Sequence, residues 1–347
     1  MLLNLIYFVL VLGIIVLIHE SGHFLFAKLC GIYVYEFSIG MGPKLFSKKG
    51  KNGETEYCIR AIPIGGFVSL AGEEVDDDKK IPEDRKLYAK KAWQRFLVMF
   101  FGAGFNFIFA VLILFSIGLF YGSVSSKPII SEVVKDNPAE VAGLKDGDRV
   151  LAINNRKVKT SDDISLFLQI VDKNKPVKFK VERDGKEYTF DVKPIKEKVE
   201  DQDVYRIGVM INNEKKQGFG AAVEYAFVKT GALFRQMFVT LESLFTGGVS
   251  INQFSGPVGI YNIVGTQAKA GFANILYLIA LLSINVGFIN LIPFPAFDGG
   301  RILFLIIEKI KGSPVKPETE NKIHTIGFLL LMILMVYITF NDILRLF

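Results

Sequence analysis

The sequence predicts a polytopic α-helical membrane protein with four transmembrane helices, a membrane-associated β region and one inserted, extracytoplasmic β-rich domain. Three observations predict it. Half of the 347 residues are hydrophobic, 31 of them Phe, and the mean hydropathy is +0.35, more apolar material than a soluble chain of this size carries. The apolar residues gather in continuous runs at 2–27, 96–121, 272–291 and 324–343. The charged residues, 22% of the chain, gather instead in two blocks near 44–95 and 127–216. The net charge of +6 comes from mixed Lys and Glu with no basic stripe, which argues against a nucleic-acid partner. Cys30 and Cys58 are the only cysteines, too few for a disulfide scaffold or a four-cysteine zinc site.

Residues 1–31 form the first expected transmembrane helix. Its run has no basic segment before it and no small-residue cleavage site after it, so it reads as a retained anchor. Still inside the apolar run stands His19-Glu20-Ser21-Gly22-His23. Positions i and i+4 of a helix share a face, so both imidazoles point one way with Glu20 beside them. Ionisable groups at such a depth are costly unless they face a cavity, a partner or a metal.

Residues 32–75 alternate between apolar and polar types and are punctuated by Gly-Pro and Gly-Gly, the pattern of strands and hairpins lining a cleft near the membrane surface. The second helix, 96–121, carries Gly102-Ala103-Gly104-Phe105-Asn106, small residues that admit a neighbouring helix. Asn106 either hydrogen-bonds across to that neighbour or is a passive polar residue. The 122–213 domain shows strand-like runs at 129–134, 149–153, 177–182, 188–192 and 205–209. A short helix capped by Pro138 and Gly143 lies between the first two.

Residues 219–250 are apolar but interrupted by Glu224, Lys229, Arg235 and Glu242, an amphipathic helix on or beside the membrane core. Residues 255–260 read as a tight turn. The third transmembrane segment, 272–301, ends in Pro293-Phe294-Pro295-Ala296-Phe297-Asp298-Gly299-Gly300-Arg301, where two prolines and two glycines break the helix. Irregular backbone at membrane depth needs protein or a water-filled cavity over it. A short helix at 302–309, with Glu308 in solvent, and a last transmembrane helix at 323–345 follow.

Short-loop charges set the orientation. Lys28, Lys44, Lys48, Lys49 and Lys51 follow the first span, Lys90, Lys91 and Arg95 precede the second, and Arg301, Lys309, Lys311, Lys316 and Lys322 follow the third. Both termini and the 122–213 domain are then extracytoplasmic, and His19, His23 and Asp298 come to one depth toward the cytoplasm.

That coincidence suggests one site. A catalytic Zn²⁺ takes three protein ligands and keeps a fourth position open. His19 and His23 supply two, and Asp298 is the best third. Glu20 is then placed to take a proton from the attacking water and return it to a leaving amine. Asn290 is the candidate donor to a developing oxyanion, or else an Asn that bonds its own backbone. His324 reads as a membrane-interface residue rather than a ligand. Gly65, Gly66, Phe67, Val68 and Ser69 are the best candidates for an edge that holds an extended substrate by backbone hydrogen bonds, with a structural hairpin as the competing reading.

With these motifs in hand, the chain resembles the site-2 protease family of intramembrane zinc metalloproteases, and within it the bacterial RseP/RasP group that regulates sigma factor signalling. HESGH at 19–23 matches its HExxH motif, and Phe297-Asp298-Gly299 stands where the family has Leu-Asp-Gly. The run from Asn290 to Arg301 is similar over a dozen residues, as are 37–40, 63–67 and 255–259. Residues 137–154 look like part of a PDZ domain.

The resemblance implies one zinc ion on His19, His23 and Asp298, Glu20 as catalytic base, and Asn290 near the scissile carbonyl. It implies a zinc-dependent endopeptidase that cuts transmembrane segments of single-span proteins, such as anti-sigma factors pre-trimmed by another protease, or remnant signal peptides. It also implies a bacterial inner-membrane location, and an outward PDZ domain that filters substrates by size or contacts a peptide. Three departures stand out. Phe297 replaces Leu, Phe105 replaces a common Pro, and only one PDZ-length module fits where the best-known members have two. Two other classes compete: a membrane scaffold with a purely structural metal, and a transporter. The transporter lacks a second broken helix to pair with the first.

Overall fold

A computed structural model describes residues 2–51, 53–73, 79–199, 202–212, 214–250, 252, 254–313 and 315–345. The end of the expected β region, 74–75, lies outside the described residues. The chain divides into two compact units, one of residues 1–113 and 254–347, the other of 114–253. Among the described residues, four helices are long and apolar enough to cross a membrane: Leu2–Leu29, Ala92–Tyr121, Phe272–Leu291 and Glu318–Leu344.

In the first unit, α1 (Leu2–Leu29) is followed by β1 (Val34–Lys49) and β2 (Glu56–Leu70). The two strands form a single antiparallel pair that doubles back on itself. Residues 36–39 face 56–59 on one side and 66–69 on the other, while 44–49 pair with 56–60. The stretch 66–70 therefore has β1 on one side only, and is an outer edge among the described residues. Gly40, at φ +85°, makes the bend in β1 possible, and a Cβ there would stand 2.6 Å from the Ile62 carbonyl oxygen.

The charges of the hairpin are spent inside it. Lys44 bridges Glu36 at 3.0 Å and Glu56 at 2.7 Å, and Arg60 holds Glu36 at 2.7 Å. Burial alone would raise the Glu36 carboxyl, but hydrogen bonds from Arg60 and Lys44 outweigh it and hold its pKa below the ordinary range. The base of the hairpin joins a buried cluster of Ala27, Ile32, Val34, Leu70, Leu87, Val98 and Met99. This ties it to α1 and to α2 (Ala92–Tyr121), whose residues from Leu114 onward belong to the second unit.

The second unit opens with β3 (Ser123–Val124), β4 (Ile130–Val133) and α3 (Pro138–Ala142). Helix α3 begins at Pro138 and ends at Gly143 in the left-handed conformation, φ +96°, as the Pro-to-Gly spacing predicts. Then come β5 (Arg149–Ile153), β6 (Arg156–Lys157), α4 (Ser161–Ile170), β7 (Val177–Arg183) and β8 (Lys186–Val192). These four strands make a sheet in the order β6-β5-β7-β8.

Alternate residues of β7 point inward, so Val177, Phe179 and Val181 are fully buried with Val150, Ile153 and Ile164. Arg183 clasps the buried Asp148 with two hydrogen bonds of 2.6 and 2.7 Å and also donates to the Gly143 carbonyl, which fastens the end of α3 to the sheet.

Beyond β8 lie β9 (Ile195–Val199), β10 (Gln202–Arg206), β11 (Val209–Ile211), β12 (Lys215–Lys216) and α5 (Phe219–Phe245). The strand expected at 205–209 is in fact split between β10 and β11. The break falls at Gly208, φ +84°, where a Cβ would lie 2.2 Å from that of Asn137. Three of the four charges that interrupt α5 are tethers: Lys229 pairs with Asp162, Arg235 with Asp163 at 3.1 Å and Glu242 with Arg156 at 3.0 Å.

The first unit resumes with α6 (Pro257–Ala270), α7 (Phe272–Leu291), α8 (Asp298–Lys311) and α9 (Pro317–Leu344). The tight turn expected at 255–260 is replaced by the start of α6. Pro257 suits the first turn of a helix, and the buried Asp342 accepts the Gly259 amide at 2.8 Å. The break after α7 is also shorter than the motif suggests. It spans 292–297, and Asp298 is already the first residue of α8. Glu308, expected in solvent, instead meets Arg95 across the unit at 2.5 Å and is only 23% exposed.

Candidate metal centre

His19 and His23 lie one turn apart on α1, with ring centroids 4.7 Å apart and planes nearly perpendicular. Their Nε2 atoms are 3.1 Å apart, and Asp298 Oδ2 stands 3.3 Å from each. The three donors thus form a nearly equilateral triangle. Donors placed tetrahedrally around an ion at about 2.0–2.1 Å are themselves about 3.3–3.4 Å apart, which is the spacing found. The triangle is largely buried, and Asp298 Oδ2 receives no well-aligned hydrogen bond among the described residues. An anionic oxygen in that position is costly without a cation. Two imidazole nitrogens and one carboxylate oxygen fit a tetrahedral divalent ion with its fourth position open.

The outer ring nitrogens are held as such a site requires. His23 Nδ1 lies 2.8 Å from the Val98 carbonyl of α2, which can only accept, so Nδ1 carries the proton and Nε2 offers its lone pair to the centre. His19 Nδ1 faces the side-chain amide of the fully buried Asn106 at 3.4 Å. Ser283 of α7 donates its hydroxyl to the Asn106 backbone carbonyl at 3.0 Å and lies 3.3 Å from the side-chain Oδ1, with Asn106 Nδ2 the atom turned to His19. Amide oxygen and nitrogen are assigned from the hydrogen-bond network, and exchanging the two here lets Oδ1 accept the His19 Nδ1 proton while Nδ2 donates to the Ser283 hydroxyl.

Glycine makes the room. A Cβ on Gly102 would stand 2.3 Å from His23 Nε2, and one on Gly22 would stand 2.0 Å from the Phe101 carbonyl oxygen. Gly102 therefore makes room for the histidine rings as well as for helix packing.

Asp298 is aimed by the loop before it. A Cβ on Gly299 would collide with the Ile292 carbonyl oxygen at 2.3 Å, and one on Gly300 with that of Phe294 at 2.5 Å, so the first turn of α8 rests directly on loop backbone. Phe297 then enters α8 in an extended conformation.

Glu20, next to His19 on α1, turns toward the hairpin: its Cγ lies 3.7 Å from where a Cβ on Gly66 would be. Of the expected edge, Gly66 is the residue that Glu20 approaches, with Phe67, Val68 and Ser69 following along β2 opposite Ser38, Phe37 and Glu36, and Gly65 just before it at φ +86°. Asn290 lies half-buried in the last turn of α7. No hydrogen bond joins it to the triangle among the described residues. Glu36, Glu56 and Cys58 form a second group with metal-ligand spacing. The Lys44 ammonium occupies the space between its carboxylates, so that group is neutralised within the hairpin.

The sequence carries no sign of the roles of Val98 and Ser283, and leaves Asn106 open between two roles. The only signal for Asn106 was its polarity in an apolar helix. Val98 acts through its backbone and carries no signal at all.

Buried HExxH histidines on one membrane helix, met by an Asp from a broken segment, define an intramembrane metallopeptidase by their chemistry. The profile of peptidase family M50 matches residues 7–334. The chain is 37% identical to the Enterococcus faecalis protein named "Probable protease eep", over 98% of each chain. It is 34% identical to zinc metalloprotease RasP of Bacillus licheniformis, again over 98% of each chain. RasP of Geobacillus kaustophilus is also 34% identical, over 99% of this chain and 98% of its own. The chain belongs to peptidase family M50, as a metalloendopeptidase of the site-2 protease type.

Proposed function

We propose that the protein binds one Zn²⁺ through His19, His23 and Asp298 and cuts the transmembrane segments of single-span membrane proteins. The observation that carries this is the triangle of 3.1, 3.3 and 3.3 Å between the three donors, which suits a small tetrahedral ion. Zinc in that position supplies Lewis acidity toward a peptide carbonyl and brings the pKa of water near neutrality.

The chain's own residues do the rest. Glu20 acts as the base, taking the proton of the attacking water and handing it to the leaving amine. Asn290 donates to the oxyanion that develops on the scissile carbonyl. A helical substrate must be unwound before it is cut. The outer stretch of β2, Gly65 to Ser69, holds the unwound segment as an added strand, a role supported by its free edge and by the proximity of Gly66 to Glu20.

The 122–213 module serves as a single PDZ domain, a reading supported by its four-stranded antiparallel sheet with α3 and α4. It contacts or filters the outer portion of substrates already trimmed by another protease. The Lys and Arg bias of the short loops supports a bacterial inner-membrane orientation with both termini and this module outside and the metal centre toward the cytoplasm.

The test is to express wild type and Glu20→Gln in matched membranes and compare the single-span fragments that accumulate. Loss of cleavage with one zinc still bound per chain is the expected result. Retained cleavage in Glu20→Gln would overturn the mechanism.

A further inference from the structure

The loop that delivers Asp298 cannot hold itself. Pro293 and Pro295 have no N–H, which leaves four amides between α7 and α8, and that of Ile292 bonds back to the Ile289 carbonyl at 3.0 Å. Phe294 N–H bonds to the Ile292 carbonyl at 2.7 Å, and Phe297 N–H to the Phe294 carbonyl at 3.2 Å, both inside the loop. The fourth belongs to Ala296, and its acceptor is His324 Nδ1 on α9, 3.0 Å away. Ala296 is the residue under backbone strain: its φ is +83°, a region that residues with a Cβ avoid.

Helix α9 is shaped for this contact. One turn on from His324, on the same face, is Gly327, where a Cβ would stand 2.5 Å from Pro295 Cβ and 2.6 Å from the Pro295 carbonyl oxygen. The His324 ring also lies 5.6 Å from that of Phe304 on α8. The loop is thus caught between the glycines that open α8 and a Gly-His face of α9.

We propose that His324 is a positioning residue for the metal centre. Its Nδ1 pins the Ala296 amide, and so fixes the first turn of α8 in the rotation that points Asp298 at His19 and His23. It touches neither substrate nor metal. The proposal rests on the metal reading above, but goes beyond it in assigning a role to α9, which supplies no ligand.

The test uses the full chain in detergent or nanodiscs, with zinc affinity measured by chelator competition beside cleavage at saturating zinc. His324→Phe keeps a ring against Phe304 but removes the acceptor, whereas His324→Asn keeps an acceptor at the δ position. Loss of a group that orients a ligand typically weakens metal binding roughly 10–100-fold. That loss is expected in His324→Phe, with a lower kcat and an unchanged KM, while His324→Asn stays within about threefold of wild type.

Ala296→Gly, which adopts a positive φ without strain, should restore part of the lost affinity in the His324→Phe background. If His324→Phe does not fold, His324→Gln replaces it, because its acceptor lies one atom further out, and weaker zinc binding there than in His324→Asn has the same meaning.

Wild-type zinc affinity in a folded His324→Phe chain, or equal losses in the Phe and Asn variants, overturns the positioning role. A wild-type chain that binds no zinc overturns the metal reading instead.

Discussion

Gly102 is where the helix-packing and metal-binding demands meet. One added methyl would fall 2.3 Å from His23 Nε2 and 3.0 Å from His19 Cε1, so it cannot coexist with the donor triangle. Gly102→Ala is therefore expected to fold, since Ala favours helix, yet to lose zinc affinity by at least about tenfold in chelator competition. An unaffected affinity would show that the rings can move aside without cost. Asn290 makes a different demand. If its amide meets the oxyanion, Asn290→Ala should cut kcat by about 10²–10³ and leave zinc content unchanged. Equal falls in both would mark it as structural.

Two elements are held by buried or half-buried charge, and each predicts a separable effect. The hairpin depends on Glu36 being ionised between Arg60 and Lys44. Its folded pKa is lowered, so this contribution is fully present above the ordinary value near 4.3 and is lost as pH falls below it toward the folded pKa. Hydrogen exchange over 36–60 should accelerate in that acid window, and Glu36→Gln should reduce the acceleration, leaving the part due to Glu54 and Glu56, whose carboxyls are also held low by their cation partners. In the second unit, the bidentate pair of Arg183 with buried Asp148 joins α3 to the sheet. Asp148→Ala leaves the guanidinium and the end of α3 without their partner, at a cost of about 3 kcal/mol. Thermal unfolding of the full-length variant should register that loss while zinc stoichiometry stays at the wild-type value.

At the scale of the whole molecule, the donors all belong to the first unit, but they come from opposite ends of the chain: His19 and His23 from α1, Asp298 from α8. A bound ion ties those ends together and stabilises the unit by linkage. Stripping zinc with a chelator should deprotect amides at 19–23, 98–106 and 292–304, and leave those of 130–192 unchanged. Uniform deprotection would mean that the two units unfold as one.

Read by itself, the sequence determined what depends on local pattern. Four spans follow because a bilayer leaves backbone groups no partner but their own helix, so apolar runs must be helical. The shared face of His19 and His23 follows from 3.6 residues per turn, and the break before Asp298 from two prolines and two glycines. The Pro-to-Gly limits of α3 were legible for the same reason. Only the tertiary structure decided what depends on distant contacts. Pro257 opens α6 rather than a turn because Asp342, far along the chain, caps it. Glu308 leaves solvent because Arg95 is waiting across the unit. Val98 orients His23 through a carbonyl, a group every residue has, and His324 became a clamp only once Ala296 was seen strained and in need of an acceptor. The meeting of Asp298 with the two histidines follows from matched depth, but the 3.3 Å spacing that suits a metal ion comes from packing. Periodicity reports which face a residue is on, and says nothing of what comes to lie against that face.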